Sequence, residues 1–430
     1  MKSKLLHRCA FTGAAMILFL CGVAGAARFA DPADDVARVY DAIDARLALM
    51  SEVAAWKWTH DKPIFDDARE RAVLERTLSR ARELGLDGES VQRVVELQIQ
   101  IARSIQTDYF EDWRAKGFPA ARSVRELETD LRPALDAVDE EFVAALYWAH
   151  DEFQHATTTE AIAKILRKIA SYPGVTAQDL AELRAALSDM REPATNIDTI
   201  QLLRTLRIGT TGDYAPFSWE SNDELRGLDI ELAQALAAHL RLTPRFVRTS
   251  WANLMSDMDA GRFDLALSGI SNTPDRAAHA EFSTAYHFDG KTLIARCQDR
   301  GKFGSLSDID RESVRVIVNQ GGTNQQFARE HIEHAKVIVH PDNRTVFDEI
   351  IAGRADVMIT DALEVELQTH RHKELCRTMN GTLTNTAKAV LLPHGSSLTK
   401  RVDQWLQVEV ARGGVQQKLE RAMLEADANR

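Results

Sequence analysis

The hydrophobic pattern of the chain changes once, near residue 191, and this change limits the fold more than any other feature. From about residue 34 to residue 191, apolar residues recur every three or four positions, and glycines are sparse. That spacing is typical of amphipathic helices. After residue 196, short β-rich runs alternate with helical ones, which favours α/β layers with largely parallel sheets. The sequence therefore predicts a multi-domain protein with an all-α half followed by an α/β half.

Capping residues and prolines delimit the predicted helices of the first half. The first is expected over residues 35–60 and ends before Pro63, and the second begins after Asp66 and Asp67 and stops at Gly85. Further helices are expected over residues 89–109, 128–154, 159–171 and 177–190.

The second half contains a weak internal repeat. The segment AGRFDLALSGI, residues 260–270, recurs as AGRADVMITDA over residues 352–362. In each copy a glycine ends a helix, an Asp follows, and a buried strand then runs to its carboxyl end, where α/β folds commonly bind ligands. We therefore expect two similar lobes around one cleft.

The beginning of the chain is expected to direct export. Three basic residues precede an apolar stretch that is too short to cross a bilayer, and Ala-Gly-Ala at residues 24–26 matches a signal-peptidase site. We expect a Sec-type signal peptide, a periplasmic mature protein and no stable membrane anchor. The predicted segments are a signal peptide over 1–26, a helical domain over 27–192, a linker over 193–200 and an α/β domain over 201–430.

The charge and the motifs exclude several classes of partner. With 53 Lys and Arg against 64 Asp and Glu, the formal net charge is −11, which disfavours nucleic-acid binding. The sequence has no metal-binding Cys/His cluster and no phosphate-binding glycine loop, so we predict no metal, nucleotide or other cofactor. Cys297 and Cys376 remain after cleavage and are candidates for one disulfide in an oxidising compartment. A homo-oligomer is left open.

Cationic residues of the first helices are expected to share one face. Arg46 and Lys57 lie eleven residues apart, about 20° out of line on a helix. The turn that follows would return Arg69 and Glu70 toward the same face. Considered one at a time, each of these residues is typical of the solvent-exposed face of a helix.

Taken together, the spacing resembles the all-helical class of chorismate mutases, and in particular its secreted branch. The resemblance rests on Arg46, Lys57, Asp66, Arg69, Glu70, Gln106 and Arg132. It implies that Arg46, Arg69 and Arg132 bind the two carboxylates of chorismate. It also implies that Lys57 and Gln106 hydrogen-bond the enol ether oxygen.

Two further positions complete the comparison with that class. The resemblance implies that Glu70 meets the ring hydroxyl of chorismate. Ala102 departs from the pattern, because this class often has Ser or Thr there, so one hydroxyl contact is missing. The rearrangement is pericyclic, which explains why such a site is cationic and has no nucleophile.

The α/β half resembles the polar amino-acid-binding family of periplasmic solute receptors. Four blocks carry the resemblance in order over residues 208–323: IGTTGDYAPFSW, GLDIELAQALA, GRFDLALSGISNTPDR and NQGGT. The resemblance implies a bilobal α/β domain of the periplasmic-binding-protein type. It implies that Arg276 grips a ligand carboxylate, with Gly322 and Thr323 completing the grip at a helix N-terminus. Trp251 would form an apolar wall, and Asp361 would accept a ligand ammonium group.

Three further blocks are DGK at residues 289–291, HPDNRTVFDEIIAGRADVMITD at 340–361 and AKAVLLP at 387–393. With them, the sequence is most similar within this fold to cyclohexadienyl dehydratases, which convert prephenate to phenylpyruvate or arogenate to phenylalanine with loss of carbon dioxide and water. The resemblance implies that Glu364, three residues beyond Asp361, protonates the departing hydroxyl. Burial or Asp361 would raise its pKa. The residues expected to bind the two carboxylates and orient the ring are Ser268, Arg276, Lys291 and Asn319.

The two resemblances describe consecutive reactions on small-molecule substrates, chorismate and prephenate. We therefore predict an exported bifunctional enzyme that makes prephenate and then phenylpyruvate without a cofactor. The alternative is a periplasmic amino-acid-type receptor or sensor fused to an inactive helical domain. The sequence leaves open whether prephenate passes directly between the sites and whether arogenate is preferred.

Overall fold

The computed structural model describes residues 26–150, 152–153, 158–191 and 198–428. Nearly all of the predicted signal peptide, and residues 193–197 of the predicted linker, lie outside these ranges. In the part of the chain that the structure describes, no helix is both long and apolar enough to span a membrane.

The first half consists of packed helices. They are α1 (Pro32–Ala48), α2 (Met50–Thr59), α3 (Asp67–Glu83), α4 (Gly88–Lys116), α5 (Arg132–Ala149), α6 (Glu160–Ala170) and α7 (Ala177–Ser188), with a π-helical turn at Leu127–Leu131. The long first helix of the prediction is divided at Leu49 into α1 and α2, and α4 extends beyond the expected end at residue 109. Asp66 caps α3 as expected, because its Oδ1 accepts from the backbone N–H of Arg69 at 3.0 Å.

The helices enclose a large apolar core, and a smaller cluster forms around Phe110 and Trp113. Ile43 and Leu47 of α1 pack in the large core with Ile101 and Ile105 of α4 and Leu146 of α5, and each is at most 1% exposed. Because these apolar residues fix the helix faces, polar residues on the same faces become partly or fully buried. Such residues need hydrogen-bonded or charged partners.

The second half contains short helices and strands. The helices are α8 (Thr199–Leu203), α9 (Leu228–Leu240), α10 (Leu254–Asp259), α11 (Pro274–Ala277), α12 (Leu306–Ile309), α13 (Thr323–His331), α14 (Val346–Ile351), α15 (Ala362–Arg371), α16 (Thr399–Ala411) and α17 (Gly414–Ala428), with a 3₁₀ turn at Cys297–Asp299. The strands are β1 (Thr205–Thr210), β2 (Asp213–Tyr214), β3 (Ser218–Ser221), β4 (Glu224–Arg226), β5 (Thr243–Arg248), β6 (Leu265–Ala266), β7 (Glu281–Phe282), β8 (His287–Asp289), β9 (Lys291–Arg296), β10 (Arg315–Asn319), β11 (Lys336–His340), β12 (Val357–Asp361), β13 (Leu375–Arg377), β14 (Thr386–Lys388) and β15 (Leu391–Leu392).

Two five-stranded sheets define two lobes. Lobe 1 has the strand order β5-β1-β6-β15-β7 and lobe 2 the order β11-β10-β12-β9-β13. The chain crosses between the lobes along β8 and β14, which pair antiparallel. The sheets are mixed and not largely parallel, because the strand after each crossing, β9 or β15, enters the other sheet antiparallel to its neighbours.

The internal repeat corresponds to the equivalent strands β6 and β12 of the two lobes. Asp264, just before β6, accepts from the backbone N–H of Arg207 at 2.8 Å and from its guanidinium at 2.7 Å. Asp356 accepts from Arg315 in the same way, at 2.9 and 2.7 Å. The repeated Asp therefore ties each central strand to the neighbouring parallel strand, which gives the repeat a physical reason.

The start of the described chain pairs with lobe 1, although the sequence assigns residues 27–192 to the helical domain. Ala27 forms a β-bridge with β4, and the N–H of Ala30 donates to the carbonyl of Phe246 at 2.8 Å. Asp35 at the start of α1 accepts from Arg245 of β5, with Oδ1 and Nη1 3.0 Å apart. Backbone pairing and a largely buried ion pair thus attach the helical half to lobe 1.

The two cysteines left in the predicted mature chain form a disulfide. The sulfur atoms of Cys297 and Cys376 lie 2.05 Å apart. The bond links the end of β9 to β13, its antiparallel neighbour in lobe 2. It joins positions separated by 79 residues in the sequence.

Candidate active sites

A single pocket in the helical half brings together all the cationic residues predicted there. Of the predicted residues, those that line it are Arg46, Lys57, Arg69, Glu70, Gln106 and Arg132. They come from α1 to α5, so one chain supplies the whole set. Ala102 of α4 lies in the wall as well.

Lys57 presents its ammonium group from the last turn of α2. Its Nζ donates to the carbonyl of Ile64 at 2.6 Å, which fixes the side chain against the turn before α3. Burial lowers the pKa of Lys57, while Asp66 and Glu70 act to raise it. An ammonium group has three N–H donors, so this bond leaves two for a ligand.

Gln106 is buried and incompletely hydrogen-bonded. Its Nε2 donates to the carbonyl of Ala102 at 3.1 Å and lies 3.6 Å from the sulfur of Met50. Its Oε1 has no hydrogen-bond partner among the described residues. A buried acceptor without a partner is destabilising, and a ligand with a hydroxyl group would satisfy it.

Two charged residues that were not predicted also line this pocket. Arg103 pairs with Glu70, with Nε and Oε1 2.9 Å apart, so the carboxylate expected to meet a ring hydroxyl is already engaged by an Arg. Asp139 pairs with Arg46, and their side chains are 13% and 10% exposed. The lining itself contains five cationic side chains and three carboxylates, a surplus of two positive charges. Asp136 and Glu128, just outside the lining, pair with Arg69 and Arg132.

Arg69 and Arg132 lie nearer to solvent than Arg46. Their side chains are 29% and 32% exposed, against 10% for Arg46. Burial and the neighbouring Arg132 lower the pKa of Arg69. The positive charge therefore extends from the buried part of the pocket to its opening.

A second pocket lies in the cleft between the lobes and contains most of the residues predicted for the α/β half. Those that line it are Trp251, Arg276, Lys291, Asn319, Gly322, Thr323, Asp361 and Glu364. Trp251 and Arg276 come from lobe 1, and the remaining six come from lobe 2.

Asp361 forms the centre of a buried charge cluster. Its Oδ1 accepts from Lys291 at 2.6 Å, and its Oδ2 accepts from Lys388 at 2.6 Å and from the hydroxyl of Tyr214 at 2.5 Å. Burial would raise the pKa of Asp361, but the two lysines lower it well below its usual range. This arrangement differs from the expected acceptor for a ligand ammonium group, because protein donors already occupy both oxygens.

Glu364 is the carboxyl group predicted to carry a proton, and it is 3% exposed. The hydroxyl of Thr360 donates to its Oε2. Burial raises the pKa of Glu364 to about 8. The negative charge of Asp361 adds to this effect, and the hydrogen bond from Thr360 and the charges of Lys291 and Lys388 oppose it. Both causes named from the sequence are present, and the group is neutral at pH 7.

Lys291 is held by a network of polar side chains from lobe 2. Its Nζ donates to the hydroxyl of Thr323 at 2.9 Å and to the side-chain oxygen of Asn324. The amide of Asn324 in turn donates to Asn319 at 2.7 Å. A Cβ at Gly322 would lie 2.8 Å from the amide nitrogen of Asn319, so a side chain at this position would displace that amide.

Arg276 and Trp251 face the cleft from lobe 1. The Nη1 of Arg276 donates to the carbonyl of Ser271 at 3.1 Å, and burial lowers its pKa to about 10. The indole N–H of Trp251 donates to Asp213 at 3.1 Å, and its ring packs edge-on against Tyr214. A guanidinium group and an aromatic wall therefore lie where a ring-bearing carboxylate would need them.

Ser268 does not line the cleft, so its predicted role in binding a carboxylate is wrong. It is fully buried, and its hydroxyl lies 2.7 Å from that of Thr211 and 2.6 Å from that of Ser218. The chain turns at the following glycine, whose φ is 64°, so that Ser271 faces the cleft instead. The Ser271 hydroxyl accepts from Lys388 at 2.9 Å.

Some of the residues missed from the sequence carried a signal that would have found them. Lys388 and Tyr214 lie within the blocks AKAVLLP and IGTTGDYAPFSW that support the resemblances. Arg103 and Asp139 lie three and seven residues from predicted site residues, which places them on the same helix faces. The other lining residues not predicted as ligand-binding include Met50, Ser271, Asn324 and Asn343. Within the described ranges, no group of three or more His, Cys, Asp or Glu side chains is arranged to hold a metal ion.

Comparison with known proteins gives the two halves different relatives. The fold and the interlobe cleft define a solute-binding class of protein. The chain belongs to the bacterial extracellular solute-binding proteins, family 3, which match residues 206–423. Residues 37–107 of the helical half match chorismate mutase type II.

Individual relatives extend these matches. A protein of Pseudomonas aeruginosa named cyclohexadienyl dehydratase is 42% identical over 237 residues, which are 55% of this chain and 88% of the relative. The L-cystine-binding protein TcyJ of Escherichia coli is 27% identical over 236 residues, 53% of this chain and 85% of that protein. Among solved structures, the fold is similar to that of an amino-acid ABC transporter substrate-binding protein of Streptococcus pneumoniae bound to L-arginine. The TM-score is 0.51 at 24% identity, and the match covers 54% of this chain and 100% of that chain. At this low identity, the similarity to the Streptococcus pneumoniae protein shows a shared fold and carries no information about function.

The positions of the two serines predict different effects on ligand binding. Ser271→Ala removes an acceptor of Lys388, and loss of a hydrogen bond to a charged group should raise the KM for prephenate about tenfold. Ser268→Ala should change this KM by less than about twofold and instead destabilise the fold by about 1–2 kcal/mol. Steady-state kinetics and denaturant unfolding of both variants test the difference. A larger KM effect in the Ser268 variant would contradict the geometry.

Proposed function

We propose that the chain is an exported bifunctional enzyme that converts chorismate to prephenate in the helical pocket and prephenate to phenylpyruvate in the cleft between the lobes. The match of residues 37–107 to chorismate mutase type II supports the first step. The identity of 42% with a relative named cyclohexadienyl dehydratase supports the second. The product of one reaction is the substrate of the other, so each assignment strengthens the other.

The helical pocket suits a rearrangement that needs no nucleophile. Chorismate carries two carboxylates, and the pocket lining carries two net positive charges. In the pericyclic step, the bond between the ether oxygen and the ring breaks as a carbon–carbon bond forms, and negative charge grows on the oxygen. A preorganised cation at that oxygen stabilises the transition state more than the ground state.

Within this pocket each predicted residue receives a role. Arg46, Arg69 and Arg132 would bind the two carboxylates and hold chorismate in its compact conformer. Lys57 and Gln106 would donate to the ether oxygen, Gln106 with the second N–H of its Nε2, which now meets only the weakly accepting sulfur of Met50. Lys57 suits this role because its partly buried ammonium has two N–H groups beyond the bond to the turn before α3.

The cleft suits the departure of a hydroxyl group. Prephenate loses its ring carboxylate as carbon dioxide, and the electron pair of that bond enters the ring as the carbon–oxygen bond breaks. Hydroxide is a poor leaving group, so Glu364 would transfer its proton to the oxygen, and water would leave. The ring becomes aromatic, and the Glu364 carboxylate later regains a proton from solvent.

The observation that carries the dehydratase assignment is the neutral buried carboxyl of Glu364 beside an ionised Asp361. Two carboxyl groups with separated pKa values are the arrangement that acid catalysis requires. The alternative, a receptor for amino acids fused to an inactive helical domain, has support from the L-cystine-binding relative. A receptor does not need a neutral acid, and the Asp361 oxygens already accept from protein groups.

The cellular location is part of the proposal. A family of extracellular solute-binding proteins suggests an exported chain. We infer a periplasmic protein whose mature form begins at Ala27, after the signal peptide at residues 1–26. Ala27 pairs with lobe 1, so a chain that begins there retains the contact between the halves.

Wild-type protein mixed with chorismate tests the proposal in one assay. We expect prephenate to form first and phenylpyruvate to form from it. The absorbance of phenylpyruvate measures the second step. Prephenate accumulation alone would contradict the dehydratase. Binding of an L-amino acid without any turnover would instead favour the receptor.

Lys57→Ala should lower the mutase kcat/KM by at least ~100-fold, because loss of one preorganised donor to the ether oxygen costs about that much. Dehydratase turnover with added prephenate should be unchanged in the same preparation. Lys62→Ala, an exposed neighbour outside the pocket, is the matched control. Near-normal mutase turnover in the Lys57 variant would remove this residue from the site.

Glu364→Gln should keep prephenate binding and lose most of the dehydratase turnover, because an amide cannot deliver the proton. The active form is protonated, so wild-type kcat should fall as the pH rises through about 8. Glu366→Gln, on the exposed face of the same helix, should keep both the rate and the pH profile. Wild-type rates in the Glu364 variant would overturn the assignment.

A further inference from the structure

We propose that Lys388 is a specificity-determining residue of the cleft, which makes the site select a substrate with a keto side chain over the same ring with an ammonium-bearing side chain. The proposal rests on the dehydratase function proposed above. In terms of substrates, it predicts a preference for prephenate over arogenate. The two molecules differ in that one group, so their comparison isolates its effect.

Lys388 is the most buried cation of the cleft. Its side chain is 2% exposed, and its Nζ lies 2.6 Å from Asp361 Oδ2 and 2.9 Å from the hydroxyl of Ser271. It extends from β14, one of the two strands that connect the lobes. The position of its ammonium group is therefore set by strand pairing and by two hydrogen bonds.

The acceptor that an incoming ammonium group would need is already in use. Lys291, Lys388 and Tyr214 all donate to Asp361, from lobe 2, from the crossing strand and from lobe 1. A ligand ammonium would have to displace one of these donors or approach two buried lysine ammonium groups. A keto oxygen has no such need, since it accepts hydrogen bonds and carries no charge.

The charge of the cleft leads to the same conclusion. At pH 7 the lining carries Arg276, Lys291 and Lys388 against one ionised carboxylate, Asp361, because Glu364 is neutral. Two net positive charges match the two carboxylates of prephenate. An added ammonium group would leave this charge unbalanced and place like charges close together in a poorly solvated site.

The test is the ratio of kcat/KM for prephenate to kcat/KM for arogenate. We expect the wild-type enzyme to favour prephenate at least about tenfold, since one unmatched buried charge readily produces such a factor. Lys388→Met should lower the ratio at least about tenfold, mainly through prephenate, because it removes a cation and frees one of the two hydrogen-bonding positions used on Asp361 Oδ2. Lys400→Met, on the exposed face of α16, should leave the ratio unchanged.

Tyr214→Phe provides a second test that changes no charge. It frees one hydrogen-bonding position on Asp361, so the ratio should fall by a smaller factor than in Lys388→Met. If thermal unfolding shows that Lys388→Met does not fold, the ratio measured for Tyr214→Phe tests the proposal instead, and an unchanged ratio would contradict it.

The outcomes separate this inference from the function on which it rests. Equal efficiency with both substrates in the wild type, or an unchanged ratio in a folded Lys388→Met, would contradict the selectivity alone. A wild-type enzyme that turns over neither substrate would contradict the dehydratase function as well.

Discussion

The rest of the second site depends on the ion pairs of Asp361 with Lys291 and Lys388. A buried carboxylate is destabilising unless it is paired, and here two lysines and a tyrosine hydroxyl pair with it. Because these donors come from both lobes and from a crossing strand, their hydrogen bonds to Asp361 also connect the two lobes. Its negative charge adds to the burial that keeps the neighbouring carboxyl group of Glu364 protonated.

The same physical rule applies in the helical half. Arg46 and Glu70 are tolerated in a partly buried wall because Asp139 and Arg103 pair with them. The residues that line each pocket carry two more positive than negative charges at pH 7, and in the helical pocket Asp136 and Glu128 pair with Arg69 and Arg132 from outside the lining. An acidic protein with a net charge of −11 therefore gathers cationic side chains in two pockets, and each pocket suits a small dianion.

The sequence could predict those features that short-range patterns encode. Asp66 caps its helix where an acidic residue was expected, and the set of residues expected in the helical pocket shares one wall. Longer-range pairings could not be predicted. Glu70 and Arg103 are 33 residues apart, and no periodicity says that their helices meet there. The choice between Ser268 and Ser271 depends on a positive φ at the glycine that follows Ser268, which no pattern of polarity reveals.

Local sequence patterns also could not predict how whole segments are arranged relative to one another. The alternation of strands and helices predicted two lobes, but the antiparallel strands after each crossing follow from the path of the chain between lobes. Residues 27–30 read as an extension of the helical half, and their pairing with β4 and β5 is a tertiary contact. That contact links the opening segment of α1, the helix that carries Arg46, to lobe 1.

The protonation state of Glu364 tests the account most directly, because both the chemistry and the charge of the cleft depend on it. Isotope-edited infrared difference spectra of the wild type against Glu364→Gln would resolve the protonated carboxyl band of this one residue. The account predicts that the band is present at pH 7 and is lost with a midpoint near 8. A carboxylate already ionised at pH 7, with the ordinary pKa of an exposed Glu, would contradict it.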